Sequence, residues 1–417
     1  MQFPTMQDIK LTFPHHALPD VARAVREQLM HSNLKDCLVP GQRVGITAGS
    51  RGINNIVTIL KEVITYIKEL SAEPLIIAAM GSHGGGTADG QKAILSSLGI
   101  TPAAIGAPVY TGSACRPVGS LEDSVPLYAT EIACQCDAII VINRIKPHTS
   151  FHGPAESGLQ KMLAIGLGGP RGAKAIHSFG ARLLPRLIPS AARIIMQKLP
   201  VVMGLAILED AHEDTMQIVA LKPDRFVSGE QQLLSKARSI MPCLTIDHLD
   251  LLIVEYIGKN FSGTGMDTNI IGRMRIHGVP EPTNPDIQRI VALDISKESG
   301  GNATGIGLAD FTTQRLVGKI NMESTILNVM TSTFIQRAML PITLPDDRAA
   351  ISIALNSIGN IPPASARVMQ IKNTLHLNIM RVSENLLPEL RDNPLVETTG
   401  PSITMQFDGY NNLLRLP

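Results

Sequence analysis

The chain has 417 residues, of which 44% are apolar and 18% charged, and a formal charge of +1. That length exceeds one ordinary core and implies about two domains, and the composition excludes a disordered chain. A charge so near zero argues against a nucleic-acid or anionic-membrane surface and for a small-molecule partner.

The start, Met1-Gln-Phe-Pro, has neither the basic opening nor the apolar centre of a signal peptide. Arg43–Thr47 reads as a strand, Ala48–Gly52 as its turn, and Ile53–Leu70 as an amphipathic helix with apolar residues three and four apart. The unit recurs: Pro74–Ala79 is a strand, Gly81–Gly86 a loop, and Thr87 caps a helix that ends near Gly99. Cys37, Cys115, Cys134, Cys136 and Cys243 lack the spacing of a zinc site or a disulfide framework, which fits a reducing cytoplasm. Asp137–Ile142 is a further strand that empties into Asn143-Arg144-Ile-Lys-Pro-His148. Asp247–Glu255 starts a second α/β region, with a glycine-rich loop at 258–267, a strand at Ile290–Leu293 and a helix at Ile320–Met330. No apolar run reaches membrane-spanning length.

Alternation of strands and helices predicts two α/β domains with mostly parallel sheets and the active site in the cleft between them. The expected boundaries are 1–246 and 247–394, with the tail 395–417 packing back on the first domain. In such sheets ligands gather at the carboxyl ends of the strands. Arg51, His83, Arg144 and His148 each follow a predicted strand, so they can meet at one rim.

The densest chemistry lies between Lys146 and His177, where three imidazoles, several amines and a carboxylate fall within about thirty residues. His148 and His152 are four apart, the spacing of a zinc-binding helical pair, but Pro147 and Gly153-Pro154 oppose a helix there. Glu156–Gly166 can form a helix that carries Lys161 on a face with Ser157 and Ile165. The apolar run Met162–Leu167 sets that amine at the edge of buried structure, where amines become reactive. Gly81–Gly86 lacks the GxGxxG order and serves either as a plain turn or as an anion site at a helix start.

With these residues collected, the chain resembles the nickel-dependent lactate racemase family of 2-hydroxyacid racemases and epimerases. Gly81-Ser-His83 and Pro147-His148 are similar to its two strand-exit histidine motifs, and Ser157-Gly158-Leu-Gln-Lys161 to its Ser-Gly-Gly-x-Lys. His177 stands sixteen residues past Lys161, as the family's metal-binding histidine does. The resemblance implies a nickel-pincer nucleotide, a pyridinium bis-thiocarboxylate mononucleotide carrying nickel. Lys161 would be its thioamide tether and His177 its protein ligand, with Ser157, Gly158, Arg144 and Lys259 among the residues that bind it. His83 and His148 would be the acid/base pair, with His152 as the competing second base. Arg51, matching a Thr-Arg turn, would grip a carboxylate or phosphate. Lys259 and the loop Ser262–Asp267 would close the site from the second domain.

The chain departs from the family at Ala48, where an aspartate is usual, at Gly84, where an arginine is usual, and at Leu159, which replaces a glycine. A 2-hydroxy acid larger than lactate or differently charged is therefore expected. Two other functions fit the same residues: a non-catalytic module that binds a phosphorylated metabolite, and a zinc hydrolase using His148, His152 and His177.

Overall fold

In the computed structural model, which describes residues 2–121 and 125–417, the buried runs of the first half become strands of one six-stranded sheet. Residues 1 and 122–124, within the first expected domain, lie outside the described residues. The strand order is Val109–Tyr110, Glu73–Ala78, Arg43–Ala48, Ala138–Arg144, Val201–Glu209, Thr215–Leu221. The first five run parallel, and the sixth returns as an antiparallel hairpin. Continuous burial along the central strands reflects cover on both faces, which a parallel sheet requires.

The polar exception, Thr47, is fully buried and satisfied across the strand pair. Its hydroxyl accepts Ile142 N–H at 2.9 Å and donates to Ile142 O at 3.3 Å. Helix Ile56–Glu69 lays Ile56, Ile59, Leu60, Val63, Ile64 and Ile67 against the sheet, the three- and four-residue spacing of one helical face. Thr87 caps helix Ala88–Ser97, accepting Gly90 N–H at 3.1 Å.

A second sheet has eight strands in the order Ile342–Leu344, Phe311–Thr313, Asp286–Ile295, His248–Ile257, Val368–Ile371, Ile379–Ser383, Thr5–Leu11, Val396–Thr404. Its first five strands are parallel, and the last three add antiparallel. Two compact units result: Pro14–Met241, and Pro242–Pro417 together with the segment that ends at Phe13. The chain crosses between them close to the expected boundary at 246. The chain ends depart from expectation: the tail does not return to the first unit, because Thr404 pairs with Thr5 and Val396 with Leu11. The first strand follows it into the second unit's sheet. No helix among the described residues is long and apolar enough to cross a membrane.

Candidate active site

Four parallel strands, Arg43–Ala48, Glu73–Ala78, Ala138–Arg144 and Val201–Glu209, end at one edge of the six-stranded sheet, and the loops that leave them build the site. Ala48 pairs with Ala78, so the loop of Ser50 and Arg51 runs beside that of His83. His83 is exposed, its backbone N–H donates to Met80 O at 3.1 Å, and its Nδ1 is hydrogen-bonded to Ser50 Oγ. The next residue, Gly84, has φ +67° and packs against the Gly90 backbone, where a Cβ would come within 2.6 Å of Gly90 C. The arginine usual in the resembled family therefore has no room here, and the glycine run is explained as a turn.

The loop between the third of these strands and Lys161 closes on itself through paired backbone bonds, Lys146 N–H to Ser157 O at 3.0 Å and Ser157 N–H to Lys146 O at 3.2 Å. The side chain at its centre is Glu156, wholly buried. It accepts the His148 backbone N–H at 2.6 Å, the Gly153 N–H at 2.9 Å, His152 Nδ1 at 3.3 Å and Arg238 Nη2. Burial raises its pKa, but the hydrogen bonds from His152, His148 and Gly153 outweigh burial and hold the carboxyl below the usual range.

Those bonds divide the two histidines. An ionised carboxylate only accepts, so neutral His152 carries its proton on Nδ1. His148 Nδ1 accepts the Ser150 backbone N–H at 3.1 Å, so neutral His148 carries its proton on Nε2. His148 also stacks on Phe151, with centroids 4.3 Å apart, and the Lys161 ammonium lies 5.8 Å from the centre of that ring. Phe151 thus links His148 to Lys161, whereas His152 is exposed.

The expected helix from Glu156 starts only at Leu159, because Ser157 is engaged with Lys146, and its α-helical part is the single turn Leu159–Lys161. Ser157 and Lys161 share no helical face. A π turn follows at Met162–Gly166, closed by Leu167 N–H to Met162 O at 2.8 Å, and such turns are frequent at functional sites. Gly81 N–H donates to Gly166 O at 3.0 Å, which fastens the His83 loop to this turn.

Lys161 is half-buried, and burial, then Arg51 and Lys146, push its amine down to about 7 against the opposing pull of Glu156. His177 ends helix Gly169–His177. Burial, reinforced by the charge of Lys161, pushes its imidazole down to about 4. Below the Lys161 turn, Glu230 is fully buried, and burial pushes it up to about 7. A Cβ on Gly158 would stand 2.5 Å from Glu230 Oε1, so crowding requires glycine there.

Arg144 is the last residue of its strand, not a loop residue, and its guanidinium is paired with Glu209. Glu209 also accepts the Asn54 N–H at 2.8 Å, so it holds both Arg144 and the Arg51 loop. Arg51 is an exposed residue, but burial of its guanidinium against nearby protein, and then Arg144, lower its pKa. Lys259 belongs to the other unit, where its amine donates to Gly263 O and to Asn328 Oδ1, both at 2.5 Å.

Among the described residues His148, His152 and His177 do not come together as one metal-ligating group. The one such group is His15, Asp210 and Asp214, residues that showed no pattern in the sequence. Its atoms are already engaged. Asp210 accepts N–H groups from His16, His212 and Asp214, and Asp214 holds His15 Nε2 at 2.9 Å and Asn54 Nδ2 at 2.8 Å. The group is a hydrogen-bonded latch on the hairpin turn.

Sequence reasoning missed Ser50, Glu209 and Glu230. Glu209 and Glu230 lie 65 and 70 residues from their partners Arg144 and Gln160, and no local spacing announces them. Ser50 adjoins Arg51 and could have been found by pairing neighbouring strand exits.

Residues 10–182 match the family model of the lactate racemase N-terminal domain. The chain is also similar to the structure of the lactate racemase apoprotein from Thermoanaerobacterium thermosaccharolyticum. The TM-score is 0.52 at 13% identity, over 87% of this chain and 99% of that one, a likeness of fold. No curated protein matches the sequence.

Proposed function

We propose that this chain, whose residues 10–182 match the lactate racemase N-terminal domain, is an isomerase, a racemase or epimerase of a 2-hydroxy acid, served by a nickel-pincer nucleotide. The observation that carries this reading is the pair Lys161 and His177. The amine is pushed down to about 7, and it stands near enough to the imidazole for its charge to help push His177 down to about 4. A neutral amine is what a thioamide tether needs, and a neutral imidazole is what nickel needs. Arg51 and Lys146, the cations that act on Lys161, suit a phosphate or carboxylate. The residues present therefore fit the group.

Lys161 would hold it covalently and His177 through the metal, with Ser157, Gly158 and Arg144 beside them. When bound, the group supplies an acceptor for the hydride at Cα. The chain's own residues supply the rest. Arg51 orients the substrate carboxylate through its planar fork. His83 takes the hydroxyl proton at Nε2. His148, as an Nε2–H donor, steadies the same oxygen as it becomes a carbonyl, a role a neutral imidazole fills well. With Ala48 and Gly84 in place of an aspartate and an arginine, the substrate is a 2-hydroxy acid other than lactate.

The test is mass spectrometry of the Lys161 peptide from protein produced together with the cofactor-synthesis enzymes. An adduct on Lys161 is expected; an unmodified Lys161 in protein that inverts a hydroxy acid would overturn the reading.

A further inference from the structure

Ser50 and His83 leave neighbouring parallel strands, and Ser50 Oγ meets His83 Nδ1 across the gap. Ser50 is well anchored for this contact. A few residues on, Asn54 gives its N–H to Glu209 and its side chain to Glu213 O and Asp214, which pins the loop at its far end. On the other side His83 is fixed through its bond to Met80 and the short helical turn that it starts.

We propose that Ser50 is the positioning residue that accepts Nδ1–H of His83 and so fixes Nε2 as the nitrogen that exchanges protons, an inference that rests on the acid/base role given to His83 above. Donors and acceptors decide the direction of this bond. A hydroxyl can do either, whereas the partner of His148 Nδ1 is a backbone N–H, which only donates. Were Ser50 to donate as well, both rings would be Nε2–H donors, and the pair would contain no base. With Ser50 accepting, neutral His83 offers a lone pair at Nε2. When it takes the substrate proton there, Nδ1–H stays bonded to Ser50, and the same Nε2–H returns the proton on the reverse step. The ring never has to turn. A hydrogen bond at one imidazole nitrogen that sets the task of the other is a general device.

The test is long-range proton–nitrogen correlation NMR of His83 in the full chain without cofactor, at about pH 8, where an ordinary imidazole is neutral. A protonated Nδ1 and an unprotonated Nε2 are expected. Ser50→Ala should shift that balance toward Nε2–H and, in loaded enzyme, slow inversion by about 10- to 100-fold, the usual cost of losing such a partner. Ser50→Thr should restore both. An unprotonated Nδ1 in the native protein, or a Ser50→Ala spectrum identical to it, would overturn the proposal. The spectrum needs no substrate, so a protein with the expected tautomer that inverts no hydroxy acid would count against the function and leave the role of Ser50 in place.

Discussion

The carboxylate of Glu230 accepts the backbone N–H of Gln160 at 3.0 Å, immediately before Lys161 in the chain. A wholly buried acid thus supports the turn that presents the candidate tether. Its burial raises its pKa to about 7, against the bonds from Gln160 and Leu159 that favour the ionised form.

That shift has a definite sign. The folded state holds the Glu230 proton more tightly than the unfolded chain, so stability falls as pH rises from about 4.5 to about 7 and is level beyond. The contribution is at most on the order of 3 kcal/mol. Glu230→Gln keeps an acceptor for Gln160 and removes the charge. Urea unfolding at pH 5 and pH 8 should show a smaller loss of stability in the variant than in the native protein.

Lys161 should be the amine that reacts first. Its acylation, followed by peptide mapping against pH, should have a midpoint near 7, far below an ordinary lysine. Arg51→Ala removes a cation that lowers this amine and should move the midpoint upward. A native midpoint near 10 would refute the local electrostatics described above.

Glu156 organises the histidine loop. Glu156→Ala leaves the His148 and Gly153 N–H groups without their buried acceptor, at a cost on the order of 3 kcal/mol. Hydrogen exchange should speed at both amides while the amides of the central strands stay protected.

The two histidines that compete for the second place in the pair should separate clearly. His148, joined to Lys161 through Phe151, should cost about 100-fold or more in kcat when replaced by alanine. Exposed His152 should cost less than about tenfold. The reverse order in loaded enzyme would exchange their assignments.

What the sequence made legible was local. The strands at 43–48 and 73–78, helix Ile56–Glu69 and the Thr87 cap all carry their signals in short-range apolar spacing or a capping side chain. The strand exits that align Arg51, His83 and His148 follow from that periodicity. Pairing between the chain ends, Thr5 with Thr404, leaves no such trace, since nearly the whole chain separates the partners. The π turn after Lys161 was hidden for a related reason. Its residues have ordinary helical spacing, and what shortens the helix is the distant bond between Ser157 and Lys146. The carboxylates Glu209 and Glu230 reach the site from strands and helices whose own patterns speak only of burial.

The proposed reaction is inversion at a carbinol carbon. Chiral chromatography of a panel of 2-hydroxy acids, each incubated in deuterated water with cofactor-loaded protein, tests it directly. At least one acid should change configuration while its Cα hydrogen is largely retained. Protein carrying the Lys161 adduct that inverts none of them, or that inverts one with full uptake of solvent deuterium, would contradict it.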